Sequence, residues 1–187
     1  MHDSEVRIEE YKLLKQEINS LASMRHQLIN ILYTSVAAIL AFAIMNGEAL
    51  MFLIAFCVII PTYLIMGTLS HGIYKIGAYL QVFFDDIGFQ WETNLYAFNA
   101  INEIKIKRWA NSFTLPFVFL GLVSFALFLL YFDWPTIFSI WSMLELVLSL
   151  ICIISVFVIR RKQDDVDSLK ESYIERWCDF QKDNIKE

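Results

Sequence analysis

The stretch Ile137–Ile159, IFSIWSMLELVLSLICIISVFVI, decides how the chain is read, together with the Arg160-Arg161-Lys162 that closes it. Its 23 residues, wound as a helix rising ~1.5 Å per residue, extend about 34 Å, enough to cross a hydrocarbon core about 30 Å thick. The basic triplet marks the end that stays in the cytoplasm. One acid, Glu145, lies well inside the run. Inserting an ionisable side chain at that depth costs roughly 2.5–3.5 kcal/mol, so its position calls for a function or a specific partner.

Three further apolar blocks precede it: Leu28 to Met45, Ala49 to about Leu69, and Phe113 to Phe132. Asn46-Gly47-Glu48 and Asp133-Trp134-Pro135-Thr136 read as tight turns, with Trp134 placed as an interfacial anchor. Pro61 predicts a kink in the second block. With 57% hydrophobic and 16% aromatic residues in a chain of 187, the balance is that of a polytopic membrane protein, not of a soluble domain. The fold expected is an all-α membrane protein with four transmembrane helices arranged as two hairpins. Amphipathic cytoplasmic helices stand at both termini and between the hairpins. The segments are 1–27 (cytoplasmic helix), 28–69 (hairpin 1), 70–112 (cytoplasmic helical segment), 113–159 (hairpin 2) and 160–187 (cytoplasmic tail).

Charge sets the orientation. Of 15 Lys and Arg residues, four lie in the N-terminal region, four in the central segment and seven in the tail, and neither hairpin turn has one. By the positive-inside rule both termini and the central segment are cytoplasmic, in a cell inner membrane. The charged run His2 to Glu17 does not read as a cleavable signal peptide. The two halves repeat one layout, helix then hairpin, in the same orientation, which argues against the inverted repeats of many transporters.

Outside the apolar blocks, helical periodicity persists. Tyr11, Leu14, Ile18, Leu21 and Leu28 recur at spacings of three and four, interrupted only by Arg25. In the tail Val166, Leu169, Tyr173, Trp177 and Phe180 form a second such face. Tyr11, Leu14, Ile18, Leu169, Tyr173 and Trp177 are therefore candidates for docking a cytosolic protein partner, or for packing on their own chain. The central segment reads as two amphipathic helices, one continuing the second block and one over Leu95 to Arg108. They meet at a turn around Gly88-Phe89-Gln90-Trp91-Glu92.

Chemistry concentrates on the fourth block. Ser142, Glu145, Ser149 and Cys152 fall in one narrow arc, and a small, polar stripe on a membrane helix must face protein or water. It lines a pore in a homo-oligomer, or it is a packed helix interface in which a protonated Glu145 bonds a serine or a carbonyl. Asp85, Asp86 and Glu92 match no calcium-loop spacing, and His2, His26 and His71 lack placed partners. No nucleophile–base pair, intramembrane aspartate pair, zinc motif or phosphate loop is present, so neither an enzyme nor a cofactor is expected. Cys57, Cys152 and Cys178 suggest no disulfide framework. The net charge of −5, with no basic face, excludes nucleic acid as the main partner.

The N-terminal Glu9-Glu10-Tyr11-Lys12-Leu13-Leu14 helix, the hairpin after it and the helix that follows resemble a class of small helical bacterial membrane proteins. These include the SLATT-type proteins proposed as pore-forming effectors in phage defence. The resemblance covers mainly residues 5–112 and rests on layout; SLATT-type proteins have two membrane helices, and no site residue carries over. It implies a homo-oligomeric pore or gated effector of antiviral defence, controlled by its cytoplasmic helices. The alternatives are a non-conducting anchor that recruits a cytosolic effector and, third, a small proton-coupled transporter. All three place the chain in a lipid bilayer.

Overall fold

In the computed structural model residues 2–84, 114–137, 139–163 and 166–184 are described, and all their regular structure is helix. Helix α1 covers His2–Asn46 unbroken. No glycine or proline lies between those ends, so nothing in the backbone stops the helix where charged sequence gives way to apolar sequence. The change at residue 27 is one of composition within a single helix. What ends α1 is Gly47, whose φ of +71° places it in the left-handed region open to glycine. Its N–H donates to the Ala43 carbonyl at 2.9 Å, satisfying one of the orphan acceptors of the last turn.

After this turn α2 (Ala49–Ile54) and α3 (Phe56–Phe84) follow, separated only by Ala55, which keeps right-handed helical dihedrals. Val58 and Ile59 both donate to the Ala55 carbonyl, at 3.1 and 3.0 Å. One tightened turn thus joins two nearly continuous helices. Pro61 lies inside α3, and the interruption in this segment falls at Ala55 instead. Helix α4 (Leu115–Tyr131), a 3₁₀ turn at Trp134–Thr136, α5 (Ile140–Gln163) and α6 (Val166–Asn184) complete the described chain. The readings at Asp85, Asp86, Gly88–Glu92 and Leu95–Arg108 lie outside the described residues.

Three helical segments are long and apolar enough to cross a membrane: Glu5–Asn46, Ala49–Phe84 and Ile140–Arg161. Leu115–Tyr131 is apolar but shorter. The described residues therefore make an all-α protein compatible with a membrane setting.

The chain divides into two compact units, one of residues 26–67 and 108–164, the other of residues 1–25, 68–107 and 165–187. The first, the apolar unit, is packed around aromatic rings. Tyr63 of α3 stacks on Phe117 of α4 with centroids 4.4 Å apart and planes within 5°, while Phe52 meets Tyr131 at 5.0 Å. Leu32, Val36 and Ala43 of α1 and Val156 of α5 are fully buried in the same cluster. A Cβ at Gly121 would stand 3.6 Å from Phe56 and from Val156. Such close van der Waals packing holds the helices of this unit together.

The second, the polar unit, joins the start of α1, the end of α3 and α6. Leu21 and Gly72 mark a close approach of α1 and α3, since a Cβ on Gly72 would lie 3.2 Å from the Leu21 Cδ1.

Candidate functional site

Helix α5 carries the residues that the sequence marks for chemistry. At 100° per residue Ser142, Glu145, Ser149 and Cys152 share a face with Ile153 and Val156. Ile153 is 8% exposed, and Ser149 and Val156 are 0% exposed. Ser142, Glu145 and Cys152 are half-buried on the same side, and Cys152 packs against the core cluster. The opposite face holds Trp141, Met143, Leu144, Val147, Leu148 and Ile151, all large, apolar and exposed. The small, polar stripe is therefore turned toward the chain's own bundle.

Two serines of α5, Ser149 within that stripe and Ser155 outside it, satisfy themselves locally. Ser149 Oγ donates to the Leu146 carbonyl at 2.8 Å, and Ser155 Oγ donates to the Ile151 carbonyl at 2.7 Å. Such bonds to the preceding turn let a hydroxyl sit in apolar surroundings without a tertiary partner. Across the bundle, α4 buries Ser124 completely. Among the described residues no three of His, Cys, Asp and Glu converge to hold a metal ion.

The proposed docking residues lie in the polar unit. Tyr11, Leu14 and Ile18 are half-buried, and the Tyr11 ring meets Phe84 of α3 at 5.7 Å. On α6, Tyr173 bonds the His71 Nδ1 at 3.2 Å and meets its ring edge-on. Trp177 packs edge-to-face on Tyr79 at 5.1 Å and on Phe83 at 6.0 Å. Leu169 is in α6, but its side chain lies outside the described set. Tyr11, Tyr173 and Trp177 thus cover the end of α3 within their own chain.

A polar cluster completes this surface. Arg7 donates to the Phe83 carbonyl at 2.6 Å, and its guanidinium lies 5.6 Å over the Phe84 ring. Tyr79 donates its hydroxyl to Glu10 Oε1 at 2.8 Å. Burial, then the hydrogen bond and charge of Glu10, push the Tyr79 phenol up to about 12, against a smaller opposing effect of Arg7. Sequence periodicity flagged neither Arg7, Glu10 nor Tyr79. Glu10 and Tyr79 are 69 positions apart, and no local pattern couples residues at that distance.

No known protein family matches the chain, and neither a curated protein nor a solved structure does.

Proposed function

We propose that the chain is a multi-pass membrane protein that anchors a helical unit at the cytoplasmic surface, without conducting ions, and there recruits a cytosolic protein. In this reading the apolar unit spans a cell inner membrane as two hairpins, α1 with α2–α3 and α4 with α5. Both termini and the central segment face the cytoplasm. The observation that carries it is the orientation of the α5 stripe. Its polar residues point into the chain's own packed bundle, and its outer face is large and apolar apart from Ser155, which bonds its own helix, as suits contact with lipid. With Tyr11, Tyr173 and Trp177 engaged internally, the described helices of the polar unit are already packed on one another, and a partner would meet their assembled surface.

Dye- and ion-leak measurements on liposomes carrying the full chain test this. An anchor gives no leak at any protein density, and Glu145→Leu changes nothing. Leak that Glu145→Leu or Glu145→Gln alters would overturn the anchor reading.

One observation favours the pore or gated effector, the reading that goes with the layout shared with SLATT-type defence proteins. Glu145 keeps partial exposure about eight residues inside a spanning run, at a depth where a carboxyl is costly. The same leak assay separates the two.

A further inference from the structure

We propose that Ser124 holds a water molecule between α4 and the α2–α3 joint, and that this water keeps the joint at Ala55 open. The site lies wholly within the apolar unit and does not depend on the anchor reading.

The face of α4 that meets α2 and α3 is fixed by two ring contacts. Phe117 stacks on Tyr63 of α3, and Tyr131 meets Phe52 of α2. Ser124 is seven residues from each of these α4 rings, so at 100° per residue it projects in nearly the same direction from between them. On the facing side, Phe52 and Tyr63 bracket Ala55, Phe56 and Ile59, which are 0–1% exposed. Gly121, one turn before Ser124, marks the same level, since a Cβ there would stand 3.6 Å from Phe56. Ser124 therefore faces the joint.

Two independent observations meet at this point. The first is the hydroxyl. Thr34, Ser149 and Ser155 each donate to a carbonyl of their own preceding turn, which is how a helical hydroxyl is ordinarily satisfied in apolar surroundings. Ser124, 0% exposed, does not do so, and its Oγ has no hydrogen-bond partner among the described residues. Leaving a buried hydroxyl unbonded costs free energy that turning back onto the Leu120 carbonyl would recover. Its Oγ is aimed away from its own helix.

The second observation is the joint itself. Val58 donates to the Ala55 carbonyl three residues back at 3.1 Å, where a regular helix reaches four back, and Ile59 shares the same carbonyl at 3.0 Å. A turn tightened in this way draws peptide groups of the preceding turn out of the helical ladder. Alanine is the best of helix formers, and Pro61 stands six residues further on. Insertion of water into the ladder is one of the few causes of such an interruption.

Size and chemistry select water as the ligand. The two smallest residues at this level, Ala55 and Gly121, leave the room. A hydroxyl both donates and accepts, and so do the peptide groups at the joint. Water matches that dual character and is held in a buried site when it has two to four polar partners. An ion would find no countercharge on these helices, because residues 49–69 and 113–132 carry none.

X-ray radiolysis of the full chain in detergent tests the site, because it makes hydroxyl radicals from bound water and mass spectrometry then reads the oxidation of each ring. Phe56, 1% exposed, should be oxidised several times faster than Phe117, which is 0% exposed and two turns of α4 away from Ser124. Ser124→Val, which fills the space, should bring Phe56 down to the Phe117 rate, and Ser124→Ala, which keeps the space but loses one partner, should fall between. Equal rates for Phe56 and Phe117 in the parent protein overturn the water site without recourse to any variant. A fast Phe56 rate that Ser124→Val leaves unchanged overturns the role of Ser124.

Discussion

Replacing Trp177 by alanine tests how the tail helix is held. Its ring is half-buried between Tyr79 and Phe83 at centroid distances of 5.1 and 6.0 Å, and Phe180 covers it at 5.9 Å. Truncating a fully buried aromatic costs about 3–5 kcal/mol. Half burial scales that to about 2 kcal/mol, with each edge-to-face pair contributing roughly 0.5–1.5 kcal/mol of it. If the loss falls on the equilibrium between docked and detached α6, the detached fraction rises about thirtyfold, since each 1.4 kcal/mol is a factor of ten. Cys178, half-buried next to Trp177, reports that fraction directly. With Cys57 and Cys152 changed to serine, maleimide labelling of Cys178 should accelerate about thirtyfold in Trp177→Ala. Tyr173→Phe, which removes only the hydrogen bond to His71, should accelerate it about fivefold, for a loss near 1 kcal/mol. Equal labelling rates in Trp177→Ala and the parent would refute the claim that this aromatic notch holds α6.

Two further outcomes follow from the same geometry. Tyr79, raised to about 12, stays neutral in the fold above the ordinary tyrosine value of about 10. Its contribution is complete below pH 10 and disappears as pH climbs toward 12, so the parent should lose stability with rising pH more steeply than Tyr79→Phe in that window, as followed by circular dichroism. Coincident curves would remove Tyr79 from the account. Gly121→Ala should raise thermal stability in detergent by up to about 0.5–1 kcal/mol, because the new methyl meets Phe56 and Val156 at an ordinary 3.6 Å and glycine is a poor helix former. Gly72→Ala should come out close to neutral, since the same gain is set against a 3.2 Å approach to Leu21.

Much of the helical layout was legible in one dimension. Apolar run length, period and turn residues are local properties, and they led to apolar helices over Ile137–Ile159 and Phe113–Phe132, where the structure has Ile140–Gln163 and Leu115–Tyr131, and to a turn at Asn46-Gly47-Glu48. Where local chemistry was silent, the reading stopped short. The change of composition near residue 27 looked like a boundary, yet no residue there can break a helix and α1 runs through it. Pro61 drew attention as a backbone defect, but the interruption fell at Ala55, whose carbonyl is shared by two donors.

The harder limit concerned faces. Period shows that Tyr11, Leu14, Ile18, Tyr173 and Trp177 want cover, because a stripe is a statement about one helix. Whether a partner or the same chain supplies that cover is a statement about two, and for Tyr11, Tyr173 and Trp177 only the tertiary packing made it α3. Glu145 obeys the same rule. Its spacing to Ser142, Ser149 and Cys152 placed all four on one side of a helix from sequence alone. Which side that was, toward lipid, toward a pore axis or toward the aromatic core, depended on rotating α5 about its own axis against α4. No residue within α5 encodes that rotation; the side chains it packs against do.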